Sequence, residues 1–83
     1  MRSKIIRCIE TYEKNGDELI DIYPLHNVRL SFLQDLFLEP RTHLMYEIYK
    51  INAEQAQKLE PFVGIKIDTK KYDCFLSCYG KKL

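Results

Sequence analysis

The dipeptide Asn15-Gly16 stands between two apolar runs, with Ile5, Ile6, Ile9 and Tyr12 before it and Leu19, Ile20, Ile22 and Tyr23 after it. Both residues tolerate the positive φ of a type I′ turn, so the pair predicts a β-hairpin over residues 4–25. A two-residue loop pairs Thr11 with Ile20 and Ile9 with Ile22. Ile5, Ile9, Ile20 and Ile22 then share one face, and Cys8, Tyr12, Leu19 and Tyr23 the other. The second face is too apolar to be simply solvated, and its cover is either the chain's own helices or a partner.

Pro24 ends the hairpin. Asn27 reads as the cap of a helix over 28–38, in which Leu30, Leu33 and Phe37 recur at helical spacing and Phe32 and Leu36 widen the stripe enough to pack on a sheet. Residues 39–42 form its exit, and 45–51 alternates as a third strand. Asn52 opens a second helix with Gln55 placed for a capping box, Ala53, Ala56 and Leu59 as its apolar stripe, and Pro61 as its stop. Residues 63–67 alternate Val63, Ile65 and Ile67 with Gly64, Lys66 and Asp68 beyond them, which predicts a half-buried strand. A turn at 68–71 leads to a last strand over 72–79, and Gly80-Lys81-Lys82-Leu83 reads as a frayed tail. The expectation is one domain over residues 1–83 of class α+β: an antiparallel sheet of about five strands with two helices on one face, in the order ββαβαββ.

With 83 residues the chain has room for a single core. Its 46% apolar and 30% charged content lies outside the disordered class. A formal net charge of +1 gives no global field toward nucleic acid or toward a basic partner. Three cysteines is an odd number, which suits a reducing cytoplasm better than a secreted disulfide scaffold, and no apolar run approaches bilayer length.

Chemistry-bearing patterns are sparse. On a strand Cys74 and Cys78 stand roughly 13 Å apart, too far for a disulfide or a shared zinc ion, and no C-x-x-C occurs. His26 and His43 are the only imidazoles for acid–base work, and they fall in separate loops without a supporting nucleophile. No glycine pattern cradles a phosphate. These residues predict no catalytic, cofactor or metal site, and a protein that is not an enzyme.

Two surfaces invite contact. Asp17, Glu18 and Asp21, joined by Glu13 and Glu10 across the hairpin, make one end of the sheet negative and suited to a basic cleft. Among six tyrosines, Tyr46, Tyr49, Tyr72 and Tyr79 fall on the later strands and bring large contact area with few rotors to freeze. A third pattern interleaves Lys66, Lys70, Lys71, Lys81 and Lys82 with Tyr72, Phe75 and Tyr79, as a stacking platform for single-stranded RNA would.

The stretches Ile6-Arg7-Cys8-Ile9-Glu10, Ser31-Phe32-Leu33-Gln34-Asp35-Leu36-Phe37, Met45-Tyr46-Glu47-Ile48-Tyr49, Gln55-Ala56 with Leu59, and Tyr72-Asp73-Cys74-Phe75-Leu76-Ser77-Cys78-Tyr79 resemble a family of small bacterial proteins of unassigned biochemistry. Some members of that family are suspected immunity proteins of contact-dependent growth inhibition systems. The resemblance implies a cytoplasmic protein that binds the C-terminal domain of a cognate toxin, a nuclease in many such systems, and blocks it. It transfers no functional residue. On this reading the expected toxin contacts are Asp17, Glu18 and Asp21, followed by Tyr46, Tyr49, Tyr72 and Asp73. The alternative is an RNA-binding module using the C-terminal lysines and tyrosines.

Overall fold

The computed structural model describes the backbone of residues 3–16 and 18–82, and the side chains of 5–16 and 18–80. Strand β1 (Ser3–Glu13) turns into β2 (Leu19–Pro24), helix α1 (Leu30–Leu36) leads to a short β3 (Tyr49–Lys50), and helix α2 (Ala53–Val63) precedes β4 (Tyr72–Lys82). The sheet is antiparallel throughout, in the order β2-β1-β4-β3. The long central pair runs from Ser3 opposite Lys82 to Glu13 opposite Tyr72. The class is therefore α+β, with four strands rather than five, in the order ββαβαβ.

One bulge decides which hairpin residues meet the core. Near the turn Tyr12 stands opposite Leu19 as expected and the Glu13 N–H donates to the Glu18 carbonyl at 3.0 Å. The reversal is not of type I′: the Gly16 N–H closes on the Glu13 carbonyl at 3.0 Å, and Asn15 has φ 59 while Gly16 has no positive φ. Between Thr11 and Tyr12 the register shifts, so that Thr11 faces Asp21 and Ile9 faces Tyr23. Ile20 is the extra residue. Because side chains alternate across a strand, that single insertion carries Tyr23 to the side of Ile9 and Ile22 to the opposite side, the reverse of the expected placement.

Both helices cover the Ile9 side. Ile9, Thr11, Cys74 and Leu76 on the central strands are buried there, and Leu33 of α1 with Ala56 and Leu59 of α2 close over them. Phe32 and Phe62 bring the two helices together with ring centroids 5.0 Å apart.

The sequence-expected boundaries are corrected at four points. Asn27 has φ 59, a left-handed backbone that an N-cap does not adopt, so it turns the chain and α1 starts two residues later behind Arg29, which makes no side-chain cap. Pro61 does not stop α2. It sits in the last turn, where only the carbonyl of exposed Gln57 loses its donor, and the helix ends at Gly64 in the left-handed conformation with φ 77. Residues 63–67 consequently form no strand: Val63 is helical, Gly64 is the cap, and the Ile67 N–H donates to the Glu60 carboxylate at 2.9 Å. Finally, β4 continues to Lys82 instead of fraying at Gly80. The capping box itself forms as expected, with Asn52 Oδ1 accepting from the Gln55 N–H at 2.8 Å and Gln55 Oε1 accepting from the Asn52 N–H at 3.0 Å.

The third strand is short for a backbone reason. Met45 is buried with φ 57, outside the strand region, so 45–48 belongs to a loop that begins after α1. Three side chains hold this loop. Buried Gln34 donates to the carbonyls of Arg41 at 3.1 Å and His43 at 2.8 Å. Arg7 donates to those of Met45 at 2.6 Å and Leu44 at 2.8 Å. Tyr49 donates to the Glu39 carboxylate at 2.6 Å.

Candidate functional site: the open face of the sheet

The face turned away from the helices is built by the alternate residues of the same strands. Register places Ile6, Cys8, Glu10 and Tyr12 of β1 beside Tyr79, Ser77, Phe75 and Asp73 of β4, with Leu19 and Ile22 of β2 on one flank and Lys50 of β3 on the other. Its middle is tightly made. Cys8 and Ser77 are buried and share a hydrogen bond at 3.3 Å, and the Cys8 thiol is pushed up by burial. Around them the apolar surface stays open, with Leu19 42%, Ile22 46%, Tyr79 49% and nearby Ile48 66% exposed. Single exposed apolar residues are ordinary; a row of them beside Tyr12 and Phe75 is not, and makes this face the candidate site.

A groove of about 330 Å³ lies at the hairpin end of this face, lined by Glu10, Tyr12, Gly16, Ile48, Asp73 and Phe75. Tyr12 and Phe75 meet edge to face, 5.6 Å between centroids. Asp73 is bridged by Lys14 at 3.3 Å and Lys50 at 3.9 Å. Glu10 lies between its strand partners Ile22 and Phe75 and makes no ion pair among the described residues.

The residues expected from sequence to make the contact do not form one surface. Asp17 lies outside the described residues. Glu18 is exposed at the hairpin. Asp21 shares the helix side with Thr11 and accepts a hydrogen bond from the Tyr23 hydroxyl at 3.0 Å, whereas Glu10 stands on the open face. Tyr49 is half-buried on the helix side against Phe37, and Tyr72 packs at the edge of the core with Lys71 5.4 Å above its ring. Tyr46 is an exposed loop residue over which the Arg7 guanidinium stacks at 5.9 Å. Of the six that lie among the described residues, Asp73 alone lines the groove. Sequence reasoning did not single out Glu10, Phe75, Ile22 and Ile48 as one site. The available signal is the second hairpin face, on which the sequence groups Tyr12 with Leu19.

Neither histidine stands in a reactive arrangement with the other. His26 is exposed, and its backbone N–H donates to the Phe62 carbonyl at 2.9 Å. His43 accepts the Met45 N–H on Nδ1 at 3.1 Å, which leaves the proton on Nε2 facing Glu47 at 3.4 Å. Glu39 lies 3.6 Å from Nδ1, so the two carboxylates address different ring nitrogens. Among the described residues no three His, Cys, Asp or Glu side chains converge as metal ligands would, and Cys8, Cys74 and Cys78 are free thiols. No helix in this part of the chain is long and apolar enough to cross a membrane.

The fold is thus an α+β domain with both helices on one face of an antiparallel sheet and an apolar, aromatic surface on the other. Residues 6–77 match the family described as Domain of unknown function (DUF7683), and the chain belongs to that family. No curated protein and no solved structure matches the chain.

Proposed function

We propose that this protein is an immunity protein that binds and neutralises a cognate bacterial toxin domain, a nuclease of a contact-dependent growth inhibition system, in the cytoplasm of the cell that makes it. The observation that carries the binding part is the sheet face that the chain's own helices leave open, with Ile22, Ile48 and Tyr79 exposed around Tyr12 and Phe75. Tyr12, Phe75 and Tyr79 sit on the two strands locked by the eleven-residue central pairing and Ile22 on the adjoining β2, so little order has to be created there on binding. The toxin part is supported by the resemblance of the stretches around Ile6, Phe32, Tyr46 and Phe75.

The test is co-expression with the toxin domain encoded beside the gene. The expected outcome is restored growth and a one-to-one complex on purification, weakened at least about tenfold by Ile22→Ser together with Tyr79→Ser. Failure of the native chain to rescue growth or co-purify rejects the toxin reading. An RNA-binding reading draws on Tyr12 and Phe75 lying on adjacent central strands of an open sheet. Glu10 in the same groove opposes it by repelling phosphate, and a single-stranded RNA titrated at low and high salt serves as the control.

A further inference from the structure

We propose that the groove between Glu10 and Phe75 is a socket for an arginine side chain presented by the protein partner. This rests on the partner-binding reading and names the chemistry by which the partner is held. Among the described residues that line the groove two are carboxylates and none is basic, and Tyr12, Phe75 and Ile48 supply apolar wall. At about 330 Å³ the groove is at the small end of ligand pockets, suited to one extended side chain more than to a nucleotide.

The two carboxylates are not equivalent. Asp73 already has Lys14 and Lys50 against it. Glu10 is half-buried, with Ile22 and Phe75 as its strand partners and no ion pair among the described residues. A carboxylate partly removed from water without a cation is left uncompensated, and a cation arriving from a partner makes good the loss. Guanidinium matches the walls better than ammonium does. It is planar, weakly hydrated, stacks on aromatic rings and forks onto a carboxylate, while its methylene stem lies along apolar surface such as Ile48. The charge also selects the class of partner: with Asp73 held by Lys14 and Lys50, it is the Glu10 carboxylate that attracts a cationic side chain and repels a phosphate.

The experiment titrates the isotopically labelled full chain with Nα-acetyl-arginine amide, using Nα-acetyl-citrulline amide, of nearly the same shape but uncharged, as the comparison. The expected result is saturable shifts of the Glu10, Tyr12 and Phe75 amides with the arginine compound, at least about tenfold weaker with citrulline and in Glu10→Gln. No shifts at these amides, or equal shifts with both compounds, overturns the socket. Where the toxin complex survives Glu10→Gln but is lost in Ile22→Ser with Tyr79→Ser, the docking face stands and the arginine socket falls. Where arginine saturates the groove but no toxin binds the native chain, the socket stands and the toxin reading falls.

Discussion

At the scale of single residues, the most constrained polar group is the Tyr49 hydroxyl. Its proton goes to the Glu39 carboxylate at 2.6 Å, and the Glu47 carboxylate lies 3.2 Å away. Burial first, and then these two acceptors, push the phenol well above its ordinary value. A raised folded value means that the protonated form is the one the fold favours. The resulting stability is complete below about pH 10, the unfolded tyrosine value, and is lost as pH climbs through the folded one. Tyr49→Phe removes this linkage together with the bond. The variant is expected to melt lower at neutral pH by an amount on the order of 1 kcal/mol and to show a shallower loss of melting temperature above about pH 10. Tyr23, raised by burial and by its bond to Asp21, keeps part of the alkaline slope in the variant. Thermal melts across the alkaline range check this, and parallel slopes for the two chains would remove Tyr49 as the cause.

At the scale of elements, sequence disclosed what is enforced locally and missed what is enforced by distant contacts. The Asn52–Gln55 capping box and the alternation of β4 are each decided within a few residues, and each is present; the chain also reverses at Asn15, though with a positive φ at Asn15 and not at Gly16. The alternation at 63–67 is equally clear in sequence, yet those residues form no strand. β4 is already paired with β1 along its length and with β3 at Leu76 and Phe75, and the left-handed Gly64 directs the chain elsewhere. The Ile20 bulge was illegible for a similar reason. Nothing within the hairpin selects Tyr23 over Ile22 for the core; the contacts that do so come from the helices and the rest of the core. That missed bulge also explains why the open face was only half foreseen. Deleting Ile20 should remove the extra residue and keep Ile9 opposite Tyr23, and with that assignment of faces Tyr23→Ser takes apolar surface from the core while Ile22→Ser takes it from the open face. Tyr23→Ser is therefore expected to cost more stability than Ile22→Ser, by about 1–2 kcal/mol for a half-buried large side chain. Denaturant unfolding of the two substitution variants measures it, and equal midpoints would show that the bulge does not set the faces.

At the scale of the whole molecule, the sheet is covered on one side only, and the two faces should answer differently to mutation. On the helix side Leu33 and Leu59 are fully buried, so truncating either to Ala opens a cavity and is expected to cost about 2–5 kcal/mol. On the other side Ile22 and Ile48 keep 46% and 66% of their surface in water. If that surface is held for a partner, Ser at both positions should change the stability of the isolated chain by no more than about 1 kcal/mol while weakening the toxin complex. Denaturant midpoints measured beside complex affinities separate the two effects. A loss of stability comparable with that of Leu59→Ala would mean that the open face is already packed within the protein as it exists in solution, against another part of the chain or a second copy. The second copy is recognised by a midpoint that rises with protein concentration. Stability held with affinity lost is the outcome that a surface kept apolar for binding requires, because apolar area left in water contributes nothing to the isolated fold until a partner removes it from solvent.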